Sequence, residues 1–248
     1  MATPSIPNEF SLSTACFGDR LSKIEDQVFT AVAMGFRCLE LGLTEAPVTM
    51  DGLCEAQRET STKVGSMVAG CRDVKKGEMI AWKLASSDEA ERERALNSIK
   101  RHIRLAETWQ VPHLIVRGSQ VEDEALNRRA VDLQARVTSE GLGEDGADGP
   151  LAGEIRALAQ EVTEAGQSQL EHLCRGLHEL TKVAPDVRFC LEPGGRLDDL
   201  LGIEAMGWVL DDLDGICYWH DVAQVHRREA QGLPDQGEWL DRFAGRMG

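Results

Sequence analysis

The chain has 248 residues, with 27 Lys and Arg against 42 Asp and Glu, a formal net charge of −15. That balance repels a phosphate backbone and argues against nucleic acid as a partner. No apolar run approaches the 18 residues of a membrane span, and Met1 to Asn8 lacks the basic and apolar regions of a signal peptide, so a cytoplasmic protein with no membrane partner is expected. The seven cysteines are odd in number and form no Cys-x-x-Cys pair, which predicts free, mostly buried thiols in a reducing compartment.

In chain order, Phe10–Cys16 reads as a first strand and Leu21–Met34 as a helix. Phe36–Gly42 is a second strand with Glu40 near its end. A helix over 50–60 leads to a third strand, Lys63–Gly70, and a loop over 71–82. Ser86-x-x-Glu89 reads as a capping box for a helix to Trp109, with Leu96, Ile99, Ile103 and Ala106 as its apolar stripe. Val111–Gly118 is the fourth strand, ending on Arg117. After a helix over 123–137, residues 138–153 carry five glycines together with Glu144, Asp145 and Asp148 and read as a flexible acidic loop.

A long helix over 154–183, interrupted near Gly166, precedes the most informative stretch, Val187–Arg196. There a short apolar run ends on Glu192 and breaks into Pro193-Gly194-Gly195. A helix over 197–210 leads to Gly215–Asp221, a second apolar run that ends on a carboxylate. A last helix covers 238–244. Strand and helix thus alternate six times, which implies a parallel sheet with right-handed crossovers. No Gly-x-Gly-x-x-Gly follows the first strand and no P-loop occurs, so a nucleotide-binding sheet loses ground. Function at strand C-termini fits a (β/α)8 barrel, and Glu40, Arg117, Glu192 and Asp221 all sit there.

Phe36–Gly42, the Glu192 strand, Gly215-Ile216-Cys217-Tyr218-Trp219-His220-Asp221 and Glu238-Trp239-Leu240 resemble the sugar phosphate isomerase/epimerase family, the xylose isomerase-like TIM barrels. The superfamily also holds endonuclease IV. The resemblance implies an α/β fold, a (β/α)8 barrel of which about six βα units are present, as one C-terminally incomplete domain over 1–248. It implies a small sugar or sugar phosphate as substrate. It further implies one divalent metal, Mn, Mg or Zn, held by a strand-end Glu and an Asp on the next strand, then a His and a Glu on the seventh and eighth. Glu192 and Asp221 match the first two, with Glu192 also moving the proton in enediolate chemistry. Gln224 stands where relatives carry His, Arg117 replaces another His, and Pro193 replaces Asn.

Glu40, Arg117, Arg196, Trp219 and Gln224 are the candidate substrate-binding residues. Each has an alternative role. Glu192 can pair with Arg117 or Arg196. Asp221 can cap a following helix. His220 alternates with Asp221 and should face the helix layer. Two other overall readings stay open: a non-catalytic scaffold whose metal site has decayed, and a nuclease for abasic DNA. Unpaired sheet edges also make a homo-oligomer an expectation.

Overall fold

The computed structural model describes residues 10–44, 47–70, 79–143 and 149–248. Its sheet is six-stranded, wholly parallel, and ordered β1 (Ser11–Ser13), β2 (Cys38–Leu41), β3 (Lys63–Val68), β4 (His113–Arg117), β5 (Arg188–Glu192), β6 (Ile216–Tyr218). Every strand pairs with the one before it in sequence. There is no reversal of order, so there is no switch point of the doubly wound kind; the sheet is wound one way, as in a barrel wall.

The two faces of the sheet bury different residues. Leu114, Val116, Phe189, Leu191, Ile216 and Tyr218 belong to the large cluster under the helices. Val68, Ile115 and Cys190 form a small second cluster, with Leu43, Cys217 and Trp219 against it. Period-two alternation divides the strands between helix layer and barrel interior. Arg117, Glu192 and Trp219 share the parity of Ile115, Cys190 and Cys217, which puts them on the inner side.

The helices are α1 (Ile24–Ala33), α2 (Leu53–Thr60), α3 (Glu89–Trp109), α4 (Glu124–Glu140), α5 (Pro150–Ala165), α6 (Gln167–Val183), α7 (Ile203–Asp212), α8 (Val222–Glu229) and α9 (Gln236–Phe243). Among the described residues no helix is long and apolar enough to cross a membrane.

Several expectations are corrected. Residues 14–17 leave the first strand for a short 3-10 turn. In the expected 71–82 loop, residues 71–78 lie outside the described ones, and Ile80–Ala85 is a second 3-10 segment. The cap of α3 is Asp88, whose carboxylate accepts from the N–H groups of Ala90 and Glu91. Ser86 is drawn away instead, donating to Glu122 Oε1 at 2.6 Å. The acidic loop narrows, because α4 runs on to Glu140 and α5 begins at Pro150, whose fixed φ suits the first helical turn; residues 144–148 lie outside the described ones. The long helix is two helices broken at Gly166. A Cβ there would run into the side chain of Leu200, so the break lets α7's approach pack closely.

Residues 197–202 form loop and bridge structure before α7. Strand β6 ends at Tyr218, three residues before Asp221. The helix α8 matches the alternative role of Asp221, the cap of a following helix. It starts at Asp221, its N-cap. The last helix starts two residues early, on a capping box of Asp235 and Glu238. Its Trp239 is fully buried and stacks on Tyr218 with 5.7 Å between ring centroids. Beyond it, Met247 bridges Tyr218 in parallel, and the Gly248 N–H donates to the Tyr218 carbonyl at 3.1 Å. The backbone there begins a further rung on the outer edge of β6.

Candidate functional site

Strand register brings the site together. Arg117 and Glu192 are direct partners at the C-terminal ends of β4 and β5. Arg117 Nε donates to Glu192 Oε2 at 2.7 Å. Glu192 is 1% exposed, whereas the Arg117 side chain keeps 28% of its surface in contact with solvent. The second oxygen, Glu192 Oε1, is buried with no hydrogen-bond donor among the described residues. The guanidinium lies over the indole of Trp82, 5.7 Å from its centroid. A cation stacked on one side and bonded to a carboxylate on the other has little freedom, so its direction is fixed.

Asp221 arrives from the next unit. Its Oδ1 accepts from the backbone N–H groups of Ala223 at 2.8 Å and Gln224 at 3.0 Å, which caps α8. Its carboxylate is also within hydrogen-bonding reach of Glu192. Burial and the neighbouring Asp221 push the Glu192 carboxyl up to about 8, against the opposing pull of Arg117. Asp221 is held below the usual carboxylate range: burial acts against this, but the hydrogen bond from Glu192, the two helix amides and Arg117 outweigh it. A protonated Glu192 can donate to Asp221, which gives the pair one shared proton and one negative charge.

The remaining sequence candidates are spread more widely. Glu40 accepts from Ser66 Oγ at 3.4 Å on β2 and β3, apart from the carboxyl pair. Trp219 lies half-buried on the inner face, 6.4 Å from the ring of His113. Gln224 sits in the first turn of α8, close over Gly195. Arg196 forms a two-pronged pair with Asp198, at 2.8 Å for each bond, and its side chain is 55% exposed. His220 faces the helix layer as alternation requires, between Tyr218 Oη at 2.7 Å and Gln236 Oε1 at 3.1 Å.

A buried network missed by sequence holds the Pro193–Arg196 turn. Arg228 of α8 is fully enclosed, and its Nη1 donates to the carbonyl of Arg196 at 3.0 Å. Asp199 accepts from the Arg196 N–H at 2.7 Å. A Cβ at Gly194 would run into the Asp199 carboxylate, so only glycine allows this approach. A cavity of about 400 Å³ opens at the ends of β1 to β4, with Arg117 in its lining. Arg117 is its link to Glu192.

A divalent metal was expected. The two carboxylates are hard oxygen donors of the right kind. Yet among the described residues no three His, Cys, Asp or Glu side chains converge to hold an ion. One Glu192 oxygen is bonded to a guanidinium, and one Asp221 oxygen caps a helix. The residues present do not fit a metal centre by themselves.

No family profile matches the chain, and no curated protein does. Solved structures do match in shape. The 3-keto-D-glucoside 4-epimerase of E. coli superposes with a TM-score of 0.60 at 14% identity, covering 96% of this chain and 76% of that one. A family 2 AP endonuclease from Brucella melitensis gives 0.61 at 12% identity, with the same coverage. A xylose isomerase-like TIM barrel protein from Mycobacterium smegmatis, in complex with magnesium, gives 0.50 at 13%, covering 96% and 72%. The fold is that of the xylose isomerase-like TIM barrels, with six βα units in this chain.

Proposed function

We propose that this chain is a sugar isomerase or epimerase, and that the buried Glu192–Asp221 pair beside Arg117 carries the chemistry. The observation behind this reading is the buried Glu192 carboxyl at the end of β5, bonded by Arg117 and within reach of Asp221 at the start of α8. A group that ionises near 8 can both take and return a proton at working pH, which is what proton transfer next to a carbonyl asks of it. The sugar epimerase among the structural matches supports the substrate class.

The steps follow from the residues. Arg117 stands between Glu192 and the cavity. The carbonyl oxygen of a keto sugar competes for the guanidinium and draws it off Glu192. The uncovered Glu192 carboxylate takes the proton from the carbon next to the carbonyl. That C–H electron pair forms the enediolate double bond, and the carbonyl pair moves to the oxygen, where Arg117 offsets the charge. Return of the proton to the former carbonyl carbon, as the hydroxyl proton passes from one enediol oxygen to the other, isomerises the sugar; epimerisation at the same carbon needs a second proton donor on the face opposite Glu192. Asp221 stays ionised throughout and keeps Glu192 basic. The neighbour with magnesium raises the question of a divalent ion here too, but no step above runs through one.

A second reading, a scaffold without catalysis, has its own support: Glu192 is 1% exposed and already paired with Arg117. One experiment separates the two. D-fructose, D-psicose and D-tagatose are incubated with the protein in deuterated buffer at pH 8, and loss of the proton next to the carbonyl is followed by NMR. Exchange on any of the three that disappears in Glu192→Gln supports the enzyme. Wild type that exchanges no faster than Glu192→Gln supports the scaffold.

A further inference from the structure

Two cysteines face each other across the last pair of strands. Cys190 of β5 and Cys217 of β6 are direct register partners. Period-two alternation sends both side chains to the inner face, where they sit in the small cluster with Val68, Ile115, Leu43 and Trp219. Paired strands lie about 4.8 Å apart, inside the range of about 4.4–6.8 Å between Cα atoms that a disulfide spans. The two sulfurs are within hydrogen-bonding reach of each other. Gly248 limits their freedom. A Cβ there would run into Cys190 Sγ and lie 3.2 Å from Cys217 Cβ, so the pair is confined from a third side.

The two thiols differ in exposure. Cys190 is 0% exposed, whereas Cys217 keeps part of its surface in solvent. Burial first, and then the neighbouring Cys217, push the Cys190 thiol up to about 12. Cys190 therefore stays protonated and shielded, and Cys217 is the sulfur that a dissolved oxidant meets. Cys16 and Cys54 are more exposed, but they stand on the turn after β1 and on α2. The proton transfer at Glu192 uses neither thiol of the pair. Packing alone asks for a small apolar side chain at each position and for no second sulfur opposite it.

We infer that Cys190 and Cys217 form an oxidation site, at which a hydroperoxide converts the two thiols into a disulfide that ties β5 to β6 two residues before Glu192. The sugar chemistry is not needed for it. In the first step the Cys217 sulfur, as thiolate, attacks one oxygen of hydrogen peroxide. The O–O bond breaks, hydroxide leaves with the proton that the thiol gave up, and Cys217 becomes a sulfenic acid. In the second step the Cys190 sulfur attacks the Cys217 sulfur. The S–O bond breaks, and hydroxide takes the Cys190 proton and leaves as a second water. The two thiols together give up two electrons, and one peroxide accepts both.

Peptide mapping of the reduced chain tests it. The folded protein is treated with hydrogen peroxide, the remaining thiols are blocked with N-ethylmaleimide, and the chain is cut with trypsin. The peptides Phe189–Arg196 and Leu197–Arg227 should appear joined, lighter by two hydrogens than their sum, and should separate on adding dithiothreitol. In Cys190→Ala the second step is blocked, so dimedone should label Cys217. A melting temperature equal to wild type establishes that this variant is folded, and the wild-type map decides the pairing whether or not it is. Cys190 and Cys217 both left as thiols while Cys16 and Cys54 oxidise would overturn the inference. So would Cys217 carried to the sulfinic acid with Cys190 still free, or a disulfide from either of them to another cysteine.

Discussion

The carboxyl pair makes a quantitative statement about stability. Glu192 ionises at about 8 in the folded chain and near its ordinary 4.5 when unfolded. Its folded pKa is raised, so the stability it contributes is fully present below pH 4.5 and is lost as pH rises through 8. Between those values the folded state binds the proton and the unfolded state does not. Each pH unit in the window costs about 1.4 kcal/mol, which gives about 4–5 kcal/mol over its whole width. Asp221 shifts the other way, but its contribution changes only below its own ordinary value of 3.8, outside the window. Glu192→Gln keeps the shape and removes the titration. Urea unfolding of both proteins at pH 5, 6.5 and 8 is the assay. The wild type should lose stability relative to Glu192→Gln at each step, by about 4 kcal/mol across the range. Parallel curves for the two proteins would refute the shared proton and the burial argument with it.

Other outcomes follow from neighbouring contacts. Asp221→Ala should cost about 1 kcal/mol more in unfolding free energy than Asp221→Asn, because Asn still accepts from the first amides of α8 while Ala does not; equal costs would mean that the cap contributes nothing. Arg228→Met leaves Asp199 buried without its nearby cation, so a loss of about 3–5 kcal/mol is expected by urea unfolding, largest at neutral pH where Asp199 must ionise or stay protonated. Gly194→Ala sets a methyl against the Asp199 carboxylate and should cost about 1–3 kcal/mol; a neutral result would show that the turn has room to shift. Titration with Mn²⁺, Mg²⁺ and Zn²⁺ should give no stoichiometric binding that depends on Glu192, since its Oε2 is taken by Arg117. Tight binding abolished in Glu192→Gln would restore the metal centre.

Much of the wall was legible in the sequence. All six strands lie where short apolar runs between punctuators put them, and period-two alternation placed His220 outward and Trp219 inward. Glu192 and Arg117 were found because both end apolar runs. The pairing between them was weighed as an alternative; only the register of β4 against β5 makes them direct partners, and register has no local signature. Asp221 was read first as a ligand, and the helix it starts only as its alternative role. That helix has only one apolar position fully buried, Val225, and shows little periodicity to find. Trp82 and the Asp199–Arg228 pair were invisible for a related reason. Each depends on residues far apart in the chain, and a buried polar group looks like a surface one until its surroundings are known.

Asp221 serves two masters, and this limits how the site can be tuned. The same carboxylate fastens the first turn of α8 and sets the basicity of Glu192. Fraying of that turn frees Oδ1 and removes two amides that hold Asp221 acidic, so the shared proton shifts toward Asp221 and Glu192 becomes the stronger acid. Through Arg228, the same helix also grips the turn that follows Glu192. Acid strength at the strand ends is thus a readout of local order one helix away. A substitution on the outer face of α8, in contact with nothing in the site, can therefore move the pH profile of the reaction while leaving every residue around the substrate as it was.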